Sequence, residues 1–154
     1  QIFDMRLALE PRIAARAARF RTPAHIEQMR EILQAMQPHA QAGDEAQFFN
    51  WDRRLHDAIL EAGATSRAQD TLARLRTHTQ ILTDSTVRGE RSLSDVYAEH
   101  LPIIEAIAEG DARTARQRMG EHITTTGRLL LRQTLVRTAS FDALVDAALL
   151  DARV

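Results

Sequence analysis

Cysteine is absent from the 154 residues. Neither a disulfide nor a thiolate-bound metal is therefore open to this chain, and soft-metal clusters are excluded. No charge of one sign dominates either: 20 basic residues face 21 acidic ones, a formal net charge of −1 with six histidines left out. That balance gives the domain no general attraction to nucleic acid or to anionic lipid. Long apolar runs are missing, Leu129 to Leu131 being typical, and no basic start leads into an apolar segment. No membrane span or signal peptide is predicted, and a cytoplasmic location is the expectation that follows. No segment alternates with period two, so no sheet is expected.

What is there is helical periodicity. Ile2 to Phe20 places Ile2, Leu9, Ile13 and Ala17 at helical spacing, interrupted by Pro11, which should kink or divide the helix. Thr22 and Pro23 read as a cap and first-turn proline for a second helix through Ile26, Met29, Leu33 and Met36, closed by Gly43. Asp44 with Gln47 opens a third, which ends at Gly63. Ser66 with Gln69 caps a fourth through Leu72, Leu75 and Leu82 towards Val87, and the polar loop Arg88 to Ser92 follows. Ser92 with Asp95 starts a fifth through His100 and Ile107. Gly110 and Asp111 mark the next stop and cap, and a sixth runs from Ala112 to about Val136. The pattern predicts an all-α, largely antiparallel bundle of about six helices. Residues 1–137 form the domain, and 138–154 a tail or extra C-terminal helix on Phe141, Leu144, Val145 and Leu149. The start at Gln1, inside a helix, predicts a fragment or processed chain.

The third helix, FFNWDRRLHDAILEAG over 48–63, organises the rest. Phe48, Leu55, Ile59 and Gly63 share one stripe, and Asp52 and His56, four residues apart, interrupt it. Burying a lone carboxylate is expensive, so the pair needs hydrogen bonds, a counter-charge or a metal ion. The fifth helix sets His100 on the stripe of Val96, Ile103, Ile104 and Ile107. The sixth sets His122 on that of Ala115, Met119 and Thr126. Three separate helices thus break their apolar faces with metal-competent side chains. Imidazoles with one carboxylate suit a divalent ion, zinc foremost, with nickel, manganese or iron also compatible, and leave coordination positions open.

Three segments carry a family resemblance: DMRLALEPRIAARAA at 4–18, the stretch at 48–63, and EHLPIIEAIAEGDARTARQRMGEHI at 99–123. In that order they resemble the C-terminal ligand-binding (FCD) domain of GntR-type transcription regulators. The resemblance implies a helical bundle binding a divalent metal through Asp52, His56, His100 and His122, a small organic acid as effector, and no enzymatic turnover. It also implies a homodimer that controls how an N-terminal winged helix-turn-helix domain, not in this sequence, meets operator DNA. Ala64 and Thr65 stand where the family often carries Asn-Pro.

Further residues have two readings. Arg6 can face the pocket as a bidentate partner for an effector carboxylate or pair with Glu10. His78 and Thr126 are candidate effector contacts or packing residues. Arg12, Arg16 and Arg19 share a face that reads as solvated. His25 and His39 read as surface residues and Trp51 as a packing residue. A metalloenzyme using the same Asp and three His is the alternative function, although the metal-facing stripes show no spare glutamate to act as a base. A helical interaction module with a polar core and a metal-free acyl-CoA sensor are further alternatives.

Overall fold

The computed structural model describes the backbone of residues 2–63, 67–74 and 91–151, with side chains of 3–63, 67–74 and 91–132. Every regular element among them is helical: α1 Ile2–Phe20, α2 Pro23–Ala42, α3 Glu45–Gly63, α4 over 67–74, α5 Leu93–Glu109 and α6 Ala112–Asp151. They form the all-α bundle that the periodicity implies. His78, the Ala64–Thr65 turn, the Ser66 cap and the fourth helix beyond 74 lie outside the described residues.

Short polar signals set the helix ends. Thr22 Oγ1 accepts from the His25 N–H at 3.2 Å while His25 Nδ1 accepts from the Thr22 N–H at 3.2 Å, with Pro23 in the first turn. Gly43 at φ 71° and Gly110 at φ 83° take the left-handed conformation that ends α2 and α5. Asp44, Ser92 and Asp111 each accept a backbone N–H from the turn they open. Pro11 does not divide α1; the helix is continuous across it. Nor does α6 stop near Val136: it runs unbroken to Asp151, so 138–151 continue it rather than begin a helix of their own. The physical reason is local, since no glycine or proline lies between Gly127 and Asp151.

The core gathers Ala14, Ala17 and Ala18 of α1, Met29 and Met36 of α2, Phe48, Leu55 and Ile59 of α3, Ile103 and Ile107 of α5, and Met119 and Ile123 of α6. Ile13, Leu60 and Leu72 make a smaller cluster where α4 meets α1 and α3. Glycine allows the closest approach. A Cβ at Gly63 would stand 2.3 Å from the Ile13 carbonyl oxygen and 2.7 Å from the Ala17 nitrogen. The buried face of α1 departs from the expected one. Leu9 is exposed, and Arg6 and Glu10 are buried with Ile13, Ala14 and Ala17.

Candidate metal centre

α3, α5 and α6 bring His56, His100 and His122 together in the interior. All three are buried, and one ligand atom from each lies within 4.8 Å of the others. The rings crowd edge to face and tilted: centroids are 5.3 Å apart for His56 and His100, 5.5 Å for His56 and His122, and 4.5 Å for His100 and His122. Asp52, one turn before His56, stands at the edge of the group with its side chain 20% exposed. Its Oδ1 is 3.1 Å from His100 Nε2 and 3.9 Å from His56 Nε2. His56 Nε2 and His100 Nε2 are 3.3 Å apart.

Each Nδ1 atom of the three has an oxygen within 3.3 Å. His100 Nδ1 donates to the Val96 carbonyl at 2.8 Å, one turn back on its own helix. His122 Nδ1 donates to Glu99 Oε2 at 2.8 Å. His56 Nδ1 lies 3.3 Å from Glu10 Oε2. A proton on each Nδ1 would leave the Nε2 lone pairs free to turn to an ion, the arrangement by which metal-binding imidazoles are oriented. The spacings also suit a shared ion. Ligand atoms about 2.1 Å from one centre stand about 3.0–3.6 Å apart at angles of 90–120° and about 4.2 Å apart when opposite. The separations of 3.1 Å for Asp52 and His100, 3.9 Å for Asp52 and His56 and 3.3 Å for His56 and His100 fall within that span. The atoms gathered within 4.8 Å of one another are those of the three histidines, with Asp52 beside them.

The electrostatics agree. Burial holds the His122 imidazole well below its usual pKa, and the His100 and His56 rings push the same way, so it is neutral at pH 7. Burial alone would raise the Asp52 carboxyl. The hydrogen bond from His100 and the three surrounding imidazoles outweigh it and hold the group well below the usual carboxylate range. A neutral His122 imidazole and an ionised Asp52 carboxylate are donors of the kind that a borderline divalent ion prefers.

Sequence reasoning missed three residues here. Glu99 is lifted above its usual value by burial, against the pull of Arg91 and His100. Its Oε2 also accepts from Arg91 Nη2. Arg91 is buried, and its Nη1 donates to Thr126 Oγ1 at 3.0 Å. Glu10 is buried on α1, where its Oε1 accepts from Arg6 Nε at 2.7 Å. Two glutamates thus stand beside the imidazoles, outside the metal-facing stripes on which no spare glutamate is found. Each carboxylate reaches a histidine from another helix, which the pattern along one helix does not display. The spacing of Arg6, Glu10, Ile13 and Ala17 was the available signal for Glu10. Arg91 sits just ahead of a helix and had none. Thr126 meets the site through Arg91, and Arg6 is engaged by Glu10.

Matching of the whole sequence to known families gives the FCD domain over residues 1–125. The chain belongs to the FCD domain family. This FCD domain is similar to the solved structure of a Streptococcus agalactiae GntR, with a TM-score of 0.71 and 24% identity over 82% of this chain and 56% of that one. It spans little more than half of that relative's length. No curated protein matches the sequence. The resemblance carried by the segments at 4–18, 48–63 and 99–123 is borne out, and with it the bundle. Among the described residues, no helix is long and apolar enough to cross a membrane.

Proposed function

We propose that this FCD domain is the effector-sensing, metal-binding part of a GntR-type transcription regulator, with Asp52, His56, His100 and His122 holding one divalent ion. The observation that carries this reading is the convergence of three buried imidazoles from three helices, each with an oxygen within 3.3 Å of its Nδ1. When bound, the ion supplies a positive charge and open positions for a ligand's carboxylate. Arg91 supplies a second cation. It is buried beside Glu99, and its Nε has no hydrogen-bond partner among the described residues, which suits a small organic acid as effector. Thr126 helps to hold Arg91 in place. The protein is a regulator rather than an enzyme: Glu10 and Glu99 are turned to the outer nitrogens of the imidazoles, which suits fixing ligands rather than activating water. Effector binding then alters how a homodimer presents upstream winged helix-turn-helix domains to operator DNA.

The test is elemental analysis of untagged protein purified without added metal, beside Asp52→Ala and His100→Ala. About one metal per chain, lost in both variants, is expected. No metal in the wild type even after loading with zinc, nickel or manganese would reduce the four residues to a polar core network.

A further inference from the structure

We propose that Glu10 is a positioning residue for the metal centre, and that through it the first half of α1 is held in a register set by ion occupancy. The inference rests on the metal reading of the three histidines. It concerns a residue that supports the ligands, not a ligand.

Glu10 divides its carboxylate between two buried partners. Oε1 accepts from Arg6 on its own helix at 2.7 Å, and Oε2 faces His56 Nδ1 on α3 at 3.3 Å. Its side chain is 1% exposed. The other two imidazoles are steadied differently. His100 leans on the backbone of its own helix, and His122 on Glu99, whose side chain is 28% exposed. The contact of His56 with Glu10 ties the centre to α1. The tie also falls at a weak place. Residue 11 is proline, so no N–H returns to the Leu7 carbonyl, and the helix lacks one backbone bond immediately beyond Glu10. Ahead of it, Met5, Leu7 and Leu9 face solvent. The Arg6–Glu10 pair and Phe3, whose ring would lie 3.0 Å from a Cβ at Gly127 on α6, help to fasten the segment.

An ion held by His56 would withdraw charge from the imidazole, make its Nδ1–H a stronger donor and draw it towards the carboxylate 3.3 Å away. Removing the ion would relax that contact. Because such coupling is reciprocal, a firmly seated α1 strengthens ion binding by the same factor that the ion steadies α1. A domain joined ahead of α1 would be attached to the segment that Glu10 fastens.

Zinc affinity, by chelator competition, and hydrogen exchange of residues 2–10 with and without zinc would be measured on the 154-residue chain. Glu10→Gln and the double variant Arg6→Met/Glu10→Met would be compared with it. In the wild type, zinc should slow exchange across residues 2–10 as well as around His100 and His122. In the variants, zinc should bind about 10–100-fold more weakly, and zinc-dependent slowing should persist around His100 and His122 but vanish across 2–10. The double variant leaves no buried charge behind, so it carries the comparison if Glu10→Gln fails to fold. Unchanged affinity, or equal slowing of 2–10 in the variants, overturns the proposal while leaving the metal reading intact. No zinc binding by the wild type overturns both.

Discussion

Glu99 and Arg91 show how much of a buried polar site is decided one atom at a time. Glu99 accepts from His122 Nδ1 and from Arg91 at the same oxygen, so its carboxylate fixes the imidazole's tautomer and keeps the guanidinium partnered. Replacing Glu99 by Gln leaves one carbonyl oxygen for both donors, and the amide N–H₂ competes for the His122 nitrogen. Zinc affinity should fall by about tenfold or more in a chelator titration, since such partners typically contribute 10–100-fold. Arg91→Met should behave differently. Stoichiometric zinc should remain, while binding of a dicarboxylate such as succinate to the zinc-loaded protein weakens by about tenfold or more, the worth of one hydrogen bond to a charged group. Equal succinate affinity in calorimetry would remove Arg91 from the effector site. The four proposed metal ligands were legible in the sequence because each breaks an apolar stripe. Glu99 and Arg91 were not, and Glu10 showed only its spacing with Ile13 and Ala17, because a hydrogen bond between distant segments leaves no period within either.

At the scale of elements, close approach and capping decide what the helices tolerate. Gly63→Ala would drive a Cβ into the backbone of α1 at Ile13 and Ala17. Backbone cannot step aside as a flexible side chain can. The Arg16 Nε that donates to the Gly63 carbonyl at 2.8 Å would be displaced with it. A loss of about 1–3 kcal/mol is expected from such overpacking, read as a lower urea midpoint. Asp111 caps α6 by accepting from the Arg113 and Thr114 N–H groups and the Thr114 hydroxyl, which together hold its carboxyl below the usual range. A carboxyl lowered on folding contributes stability above its unfolded pKa and loses it as pH falls through the folded value. The gap in urea midpoint between wild type and Asp111→Ala should therefore be full at pH 7 and shrink below roughly pH 4. A gap that stays constant down to pH 2 would show the cap to be independent of charge. These caps were readable in advance as Asp or Ser followed by a helical stripe. The length of α6 was not, since weak amphipathicity after Thr138 suggested a stop where the chain carries no breaker.

Over the whole molecule, an ion joining α3, α5 and α6 should act as a clasp. A ligand that binds only the folded state stabilises it by about 2.7 kcal/mol at 100 times its dissociation constant, or about 5–11 °C in melting temperature for a chain of this size. Calorimetric scans with zinc and after chelator treatment should differ by that much, and Asp52→Ala should abolish the difference. By itself, the sequence determined the helical class, most helix ends and the four residues that interrupt the apolar faces. Those follow from period, caps and the cost of burying polar groups, all of which act within a few residues of one another. Only the tertiary structure decided which face of α1 turns inward, which carboxylates meet the outer nitrogens of His56 and His122, and where Arg91 lies. Those depend on how helices far apart in the chain cross and rotate against each other, and a linear pattern carries no record of that.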